Sequence, residues 1–142
     1  MAVLNPYLSF RGDAREAMEF YQSVFGGDLV VSTFGDFQVP GLEPDQVDKV
    51  MHSQLTTPAG FTLMGADVPP GMPHTDGTSI TVSLSGDEDA LLRGYFDGLS
   101  AGGTVTMPLD QAPWGDYFGQ LTDRFGTGWL VNIAGGGNAG QS

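Results

Sequence analysis

Two adjacent glycines follow each of two helix-like segments, at Gly26-Gly27 and again at Gly102-Gly103. Both pairs occupy the same place in the same order of elements, which is a strand, a helix and three further strands. A helix that returns over a sheet covers one of its faces, so each βαβββ module needs a partner for the other face. The repeat therefore predicts an α+β domain in which two βαβββ modules combine into one cupped, mixed sheet around a cavity.

The first module is indicated by its hydrophobic spacing. Apolar residues at i, i+3, i+4 and i+7 predict one buried face of a helix over 14–25, for which Asp13 is the expected N-cap. The apolar positions are Ala17, Phe20, Tyr21 and Val24. Strands are predicted over 4–10, 28–34, 49–56 and 61–66.

The second module follows the same order, with a helix predicted over 88–99. Its strands are predicted over 78–84, 104–109, 117–122 and 129–134, and Asp123 is expected to cap the tight turn between the last two. We expect one domain over 1–134. Its parts are module one at 3–68, a Pro- and Gly-rich linker at 69–77 and module two at 78–134. Residues 135–142 are interpreted as a flexible Gly-rich tail.

Composition excludes several classes of function. Five Lys and Arg against 17 Asp and Glu give a formal charge of −12, which repels a phosphate backbone and argues against nucleic-acid binding. The absence of cysteine excludes disulfides, thiolate zinc sites and thiol nucleophiles. No apolar run approaches ~18 residues and no basic segment precedes an apolar one, so we expect a cytoplasmic protein with no membrane partner.

His52 is the first candidate for a functional side chain, because it lies in a predicted strand with Gln54 and Thr56 on the same face. A cavity-facing His52 would serve as a base or a ligand. The alternative is a histidine that bonds the backbone or faces a partner subunit. Asp67 and His74 are further candidates near the linker, with a turn role and solvent exposure as their respective alternatives.

Aromatic and amide side chains complete the candidate set. Tyr7 on the first strand, and Trp114 and Tyr117 around a Gly-Asp turn, suit a planar or apolar ligand, although core or dimer packing would use the same residues. Asn132 on the last strand offers an amide to a ligand carbonyl or to a neighbouring backbone group. We therefore predict ligand contacts from Tyr7, Gln54, Trp114, Tyr117 and Asn132.

Seven short segments together carry a resemblance that covers residues 3–134. They are NPYLSF at 5–10, AMEFY at 17–21, FGG at 25–27, MHSQL at 51–55, WGDYFG at 114–119, TDRFG at 122–126 and WLVNI at 129–133. In these segments the chain resembles PhnB-like proteins of the vicinal oxygen chelate superfamily, which includes glyoxalases, bleomycin-resistance proteins and extradiol dioxygenases. The resemblance implies paired βαβββ modules in a glyoxalase/bleomycin-resistance-like cupped sheet, usually in a homodimer.

The same family implies a divalent metal held by His, Gln or Glu from the first and last strands of each module, which the substrate chelates through two adjacent oxygens. In this sequence the implied ligand positions fall at Asn5, Met64, Ser79 and Leu130. These side chains lack the imidazole and carboxylate groups that such ions prefer. We therefore predict no metal site of the usual kind and no cofactor.

Metal-independent binding of a small organic molecule is the leading functional hypothesis, in the manner of the resistance and sequestration members of the superfamily. The alternative is a lyase or isomerase-type enzyme of the same superfamily. Such an enzyme would use a non-standard metal on His52 with Asp67 or His74, or no metal and His52 as base. A third possibility is an accessory protein that acts through its dimer surface.

Overall fold

The computed structural model describes residues 4–38, 40–68 and 80–135, and the chain divides into two compact units, 1–76 and 77–142. The first unit contains β1 (Tyr7–Phe10), α1 (Ala14–Phe25), β2 (Asp28–Thr33), a 3-10 turn (Pro44–Gln46), β3 (Val50–Thr56) and β4 (Thr62–Asp67). The second contains β5 (Val82–Gly86), α2 (Asp89–Ser100), β6 (Thr104–Gln111), β7 (Tyr117–Thr122) and β8 (Gly128–Ile133). The α+β class and the βαβββ order are confirmed in both units. The predicted linker with His74, and residues 136–142 of the predicted tail, lie outside the described ranges.

Each unit contains one four-stranded mixed sheet with the same topology. The strand orders are β1-β4-β3-β2 and β5-β8-β7-β6. The first and last strands of each unit pair in parallel, and the other neighbours pair antiparallel. The strand that follows the helix is therefore an edge strand in both units, and the last strand of the unit lies inside the sheet.

Helix α1 packs on one face of the first sheet through a slightly different stripe from the predicted one. Its buried side chains are Ala14, Ala17, Met18, Tyr21 and Phe25. The predicted core residues Phe20 and Val24 are only half-buried. Met18 instead reaches the sheet, where a Cβ added to Gly65 would lie 3.1 Å from its sulfur. Gly65 therefore marks the face of the first sheet that α1 covers.

Helix α2 covers the second sheet in the same way, with buried Leu92, Tyr95, Phe96 and Leu99. A Cβ added to Gly119 of β7 would lie 2.9 Å from the Phe96 ring, which identifies the covered face of this sheet. Alternate residues of each strand belong to the opposite, open face.

Among the described helices, none combines the length and the apolar character needed to cross a membrane.

The double glycines have a steric cause that the two units share. A Cβ on Gly27 would overlap the backbone carbonyl oxygen of Thr56, and a Cβ on Gly103 would overlap that of Thr122. Both threonines are the last residues of the strands β3 and β7. The chain leaving each helix therefore passes directly against a neighbouring strand, where only glycine fits.

Candidate functional site

The open face of the first sheet, turned away from α1, carries several of the residues singled out from the sequence. Tyr7 pairs with Met64, and Met64 pairs with Gln54. Gln54 in turn pairs with Val30 on the edge strand β2. Paired residues point to the same face, so these side chains form one row across all four strands. Tyr7 is 49% exposed and Val30 is 65% exposed, which gives this row accessible aromatic, apolar and amide surface.

His52 lies on the same face as Gln54, two residues earlier in β3, and is half-buried. The Tyr7 hydroxyl lies 3.2 Å from Nδ1 of His52, and the two ring centroids are 5.8 Å apart with planes inclined by 33°. Strand β4 separates β1 from β3, so the two side chains meet across it. Continuing the β3–β4 register by one residue places Ala66, which has a small side chain, opposite His52.

The Tyr7–His52 pair gives this face defined hydrogen-bonding groups. Partial burial raises the pKa of the Tyr7 phenol, so its hydroxyl stays protonated throughout the neutral range. A hydrogen bond to one ring nitrogen fixes both the orientation and the tautomer of an imidazole. With the Gln54 amide in the adjacent row, the surface combines apolar area with a few oriented polar groups, as small-molecule sites do.

The positions at which the family resemblance implies metal ligands hold side chains of unsuitable chemistry. Met64 of β4 lies opposite Tyr7 of β1, and Leu130 of β8 lies opposite Ser83 of β5. The other two positions are Asn5, just before β1, and Ser79, outside the described residues. In the described part of the chain, no group of three or more His, Cys, Asp and Glu side chains is placed to hold a metal ion. This donor set does not fit a divalent cation.

Asp67, at the end of β4, has a structural role on the covered face. It is 4% exposed. Its Oδ1 accepts hydrogen bonds from the backbone N–H groups of Gly12 at 2.7 Å and Ala14 at 3.0 Å, and its Oδ2 accepts one from Val50 at 2.9 Å. Asp67 therefore does not make the local turn considered for it, because its hydrogen bonds go to residues distant in sequence.

Two expectations about carboxylates are corrected by this arrangement. Asp13 occupies the predicted N-cap position of α1, but its side chain makes no capping hydrogen bond, and Asp67 bonds the first amide of the helix instead. Asp67 and His52 also belong to opposite faces of the first sheet, and the Asp67 oxygens are occupied by backbone amides. A metal site shared by His52 and Asp67 is therefore excluded by the geometry.

Tyr117 and Asn132 lie on opposite faces of the second sheet. The Arg93 guanidinium of α2 lies 4.9 Å from the Tyr117 ring centroid, so Tyr117 faces the helix. Asn132 lies on the open face, and its Nδ2 donates to Oδ2 of Asp116 at 3.1 Å. The structure does not bring these two predicted ligand residues to one surface.

Asp116 anchors the turn before β7. Its Oδ1 accepts a hydrogen bond from the backbone N–H of Gly135 at 2.9 Å. This bond, then the Asn132 amide and, more weakly, Trp114 lower the pKa of the Asp116 carboxyl. Trp114 itself is 58% exposed and packs edge-on against Phe118 at 5.9 Å. The exposed Trp114 thus lies beside the open face of the second sheet, where Phe118 pairs with Asn132.

Asp123 has the turn role predicted for it. Its Oδ1 accepts hydrogen bonds from the backbone N–H groups of Phe125 at 2.8 Å and Thr127 at 3.1 Å. Its Oδ2 accepts one from Nε1 of the buried Trp129 at 2.8 Å. This carboxylate therefore belongs to the core of the second unit.

A cleft of about 400 Å³ lies between α1 and the segment that precedes β3, and sequence reasoning did not find it. Acidic residues on both walls give it negative charge, with Arg15 and Lys49 as its two basic residues. Lys49 Nζ donates to the Gly12 carbonyl oxygen at 2.9 Å. The acidic lining residues are Asp13, Glu16, Glu19, Asp45, Asp48 and Asp67. The repeated acids along α1 and at 43–48 are the only sequence signal that points to this cleft.

Comparison with known proteins agrees with the fold. A family model described as the Glyoxalase/Bleomycin resistance protein/Dioxygenase superfamily matches residues 3–131. Protein Rv0887c of Mycobacterium tuberculosis is 36% identical over 137 residues, which cover 90% of this chain and 72% of that protein.

Solved structures show the same likeness. Protein PA1353 from Pseudomonas aeruginosa is 37% identical with a TM-score of 0.82, and the match covers 95% of this chain and 99% of that one. A Bacillus cereus protein, described as a putative 3-demethylubiquinone-9 3-methyltransferase and PhnB protein, is 28% identical with a TM-score of 0.70. That match covers 94% of this chain and all of the other.

Proposed function

We infer that this chain, which belongs to the glyoxalase/bleomycin resistance protein/dioxygenase superfamily, binds a small organic molecule on the open face of its first sheet and holds it without a divalent metal. The observation that carries the proposal is the hydrogen-bonded pair of Tyr7 and His52 on that face. The pair places two rings and two polar groups on a surface that α1 leaves uncovered.

The row formed by Tyr7, Met64, Gln54 and Val30 supports this function. Its aromatic and aliphatic members offer area for apolar contact, and the Gln54 amide can both donate and accept. Small-molecule sites have this composition, with many apolar contacts and few polar ones. The formal charge of −12 favours a neutral or cationic ligand over a polyanion.

Metal independence is supported by the side chains at the implied ligand positions. Met64 and Leu130 offer no ligand for the borderline and hard divalent ions that the superfamily uses. A reaction that depends on a metal-stabilised enolate would lack its cation here. We also propose that the protein forms a homodimer, as the family resemblance implies, and that it acts in the cytoplasm.

The proposal is tested by a thermal-shift screen of protein purified without chelator, against a library of metabolites and antibiotics and against zinc, nickel, manganese and iron. A ligand at a hundred times its dissociation constant stabilises the folded state by about 2.7 kcal/mol, which such a screen detects. We expect organic hits and no metal response. Stoichiometric metal that is lost in the His52→Ala variant would overturn the proposal, and so would a library without a hit.

Matched variants locate any hit. His52→Gln and Tyr7→Phe should each weaken binding by roughly threefold to tenfold, the value of one hydrogen bond. Asp97→Asn is the control, because Asp97 is exposed on α2 in the other unit. If Asp97→Asn weakens binding as much as the two site variants do, the ligand does not bind on the open face of the first sheet.

A metal-free isomerase-type enzyme with His52 as its base is the second candidate. It requires the opposite direction of the bond between Tyr7 and His52, because Nε2 keeps the lone pair of a general base only where Nδ1–H donates to the Tyr7 hydroxyl oxygen. Conversion of a hit from the screen, abolished in His52→Gln, would distinguish an enzyme from a binding protein.

A further inference from the structure

We propose that Tyr7 is a positioning residue that holds His52 as an Nε2–H hydrogen-bond donor, and that the ligand presents an oxygen acceptor to this group. The inference rests on the proposed function, because it concerns the same face of the first sheet. It goes further by assigning a chemical role to each side chain of the pair and a chemical class to the ligand.

The direction of the hydrogen bond between Tyr7 and His52 follows from the chemistry of its two groups. A phenol is a strong donor and a poor acceptor, because its oxygen lone pairs are delocalised into the ring. The unprotonated nitrogen of a neutral imidazole is a strong acceptor. Over the 3.2 Å that separates them, the favoured arrangement has the Tyr7 O–H donating to Nδ1. The raised pKa of Tyr7 keeps that proton in place.

The tautomer of His52 then follows. A neutral imidazole carries one ring proton, so a ring that accepts at Nδ1 has its N–H at Nε2. Nε2 is in this state a donor and has no lone pair with which to remove a proton. His52 therefore serves the ligand as a donor and not as a general base.

The ligand class follows from that role. A fixed N–H beside the apolar surface of Tyr7, Met64 and Val30 selects a molecule with a carbonyl, carboxylate or similar oxygen at the matching place. A molecule without such an oxygen would desolvate the N–H and leave it unpaired, which is unfavourable. The Gln54 amide in the neighbouring row can contact a second polar group of the same ligand.

The tautomer is tested by long-range proton–nitrogen NMR of the imidazole rings in uniformly ¹⁵N-labelled protein. The sequence has two histidines, so the His74→Asn variant leaves His52 as the single imidazole and removes any ambiguity of assignment. Spectra are recorded about two pH units above the ordinary histidine pKa of ~6.5. We expect an unprotonated Nδ1 and a protonated Nε2. A protonated Nδ1 would overturn the proposal.

The positioning role of Tyr7 is tested by Tyr7→Phe in the same background. Loss of the phenol should admit a measurable population of the Nδ1–H tautomer, whereas Tyr117→Phe should not, because Tyr117 faces α2 in the other unit. A tautomer signature unchanged by Tyr7→Phe would show that Tyr7 has only a packing role and would overturn its assignment.

The donor role is tested with two probes, benzamide and ethylbenzene, titrated to the same concentration. We expect benzamide to shift the Nε2 resonance and ethylbenzene to leave it in place. Equal responses, or no response to benzamide, would overturn the assignment of an oxygen acceptor. The NMR test of the tautomer needs no ligand, whereas the library screen tests the proposed function. The failure of one proposal can therefore be told apart from the failure of the other.

Discussion

The backbone N–H of Val50 donates a hydrogen bond to Oδ2 of Asp67 at 2.9 Å, which joins the start of β3 to the end of β4. The second oxygen of the same carboxylate accepts from Gly12 and Ala14, at the entrance to α1. One buried side chain therefore ties together three segments of the first unit. A buried carboxylate with three amide partners has most of its hydrogen-bonding capacity satisfied, which offsets its loss of hydration.

Asp67→Asn should destabilise the protein by about 1–3 kcal/mol. Asparagine keeps the shape but offers one acceptor oxygen, so at least one of the three backbone amides meets an NH₂ group and stays unsatisfied. Denaturant unfolding measures the change. Asp97→Asn, at an exposed position of α2, should stay within about 0.5 kcal/mol of the parent. A loss for Asp67→Asn no larger than for this control would contradict the anchoring role.

Two glycines of the second unit should respond in opposite directions to the same substitution. Gly94 lies within α2 with open space around its Cβ position, so Gly94→Ala should stabilise the protein by about 0.5–1 kcal/mol through helix propensity. A Cβ on Gly119 would lie 2.9 Å from both the Leu109 Cα and the Phe96 ring, so Gly119→Ala should destabilise it by about 1–3 kcal/mol. Thermal or denaturant unfolding of the two variants provides the comparison. Shifts of the same sign would show that α2 does not pack on β7 as described.

Asp116 should make the stability of the protein dependent on pH in the acid range. Hydrogen bonds from the Gly135 amide, the Asn132 amide and Trp114 lower its pKa in the folded state below the ordinary value of about 3.9. The stabilisation is therefore fully present above about pH 4 and is lost as the pH falls through the lowered pKa. Asp116→Asn should be less stable than the parent at neutral pH, and the difference should shrink below about pH 4. A difference that grew toward acid pH would contradict the direction of the shift.

Short-range patterns in the sequence are sufficient to predict much of the fold. The i, i+3, i+4 spacing located α1, and the alternation in β3 placed His52 and Gln54 on one accessible face. The role of Asp123 was also predictable, because its backbone donors lie two and four residues further along the chain. In each case the partners are neighbours in sequence, so local geometry decides the outcome.

The central features of the candidate site depend on contacts that no local pattern contains. Tyr7 and His52 meet because β1 and β3 lie on either side of the same strand, β4. The alternation of side chains along each strand does not specify this strand order. Asp67 replaces Asp13 as the partner of the α1 amide because its strand ends beside the start of the helix. The residue type of Tyr117 predicts a ligand contact, and only its contact with Arg93 in the folded chain shows that it faces α2.

Arg93 should stabilise the second unit mainly through its contact with Tyr117. Its guanidinium lies 4.9 Å from the Tyr117 ring centroid, and its Nε lies 2.9 Å from Oδ1 of Asp89, one turn earlier in α2. The pair with Asp89 is exposed and contributes about 0.3–0.5 kcal/mol, whereas a partly desolvated cation–π contact contributes about 0.5–1 kcal/mol. Arg93→Ala should therefore cost about 1 kcal/mol, and Asp89→Asn should cost less than half of that. A double-mutant cycle of Arg93→Ala with Tyr117→Leu measures the coupling free energy between the guanidinium and the ring. A coupling energy near zero would show that their contact does not stabilise the protein. Measurement in about 1 M salt separates the two contacts further, since the exposed ion pair is screened there.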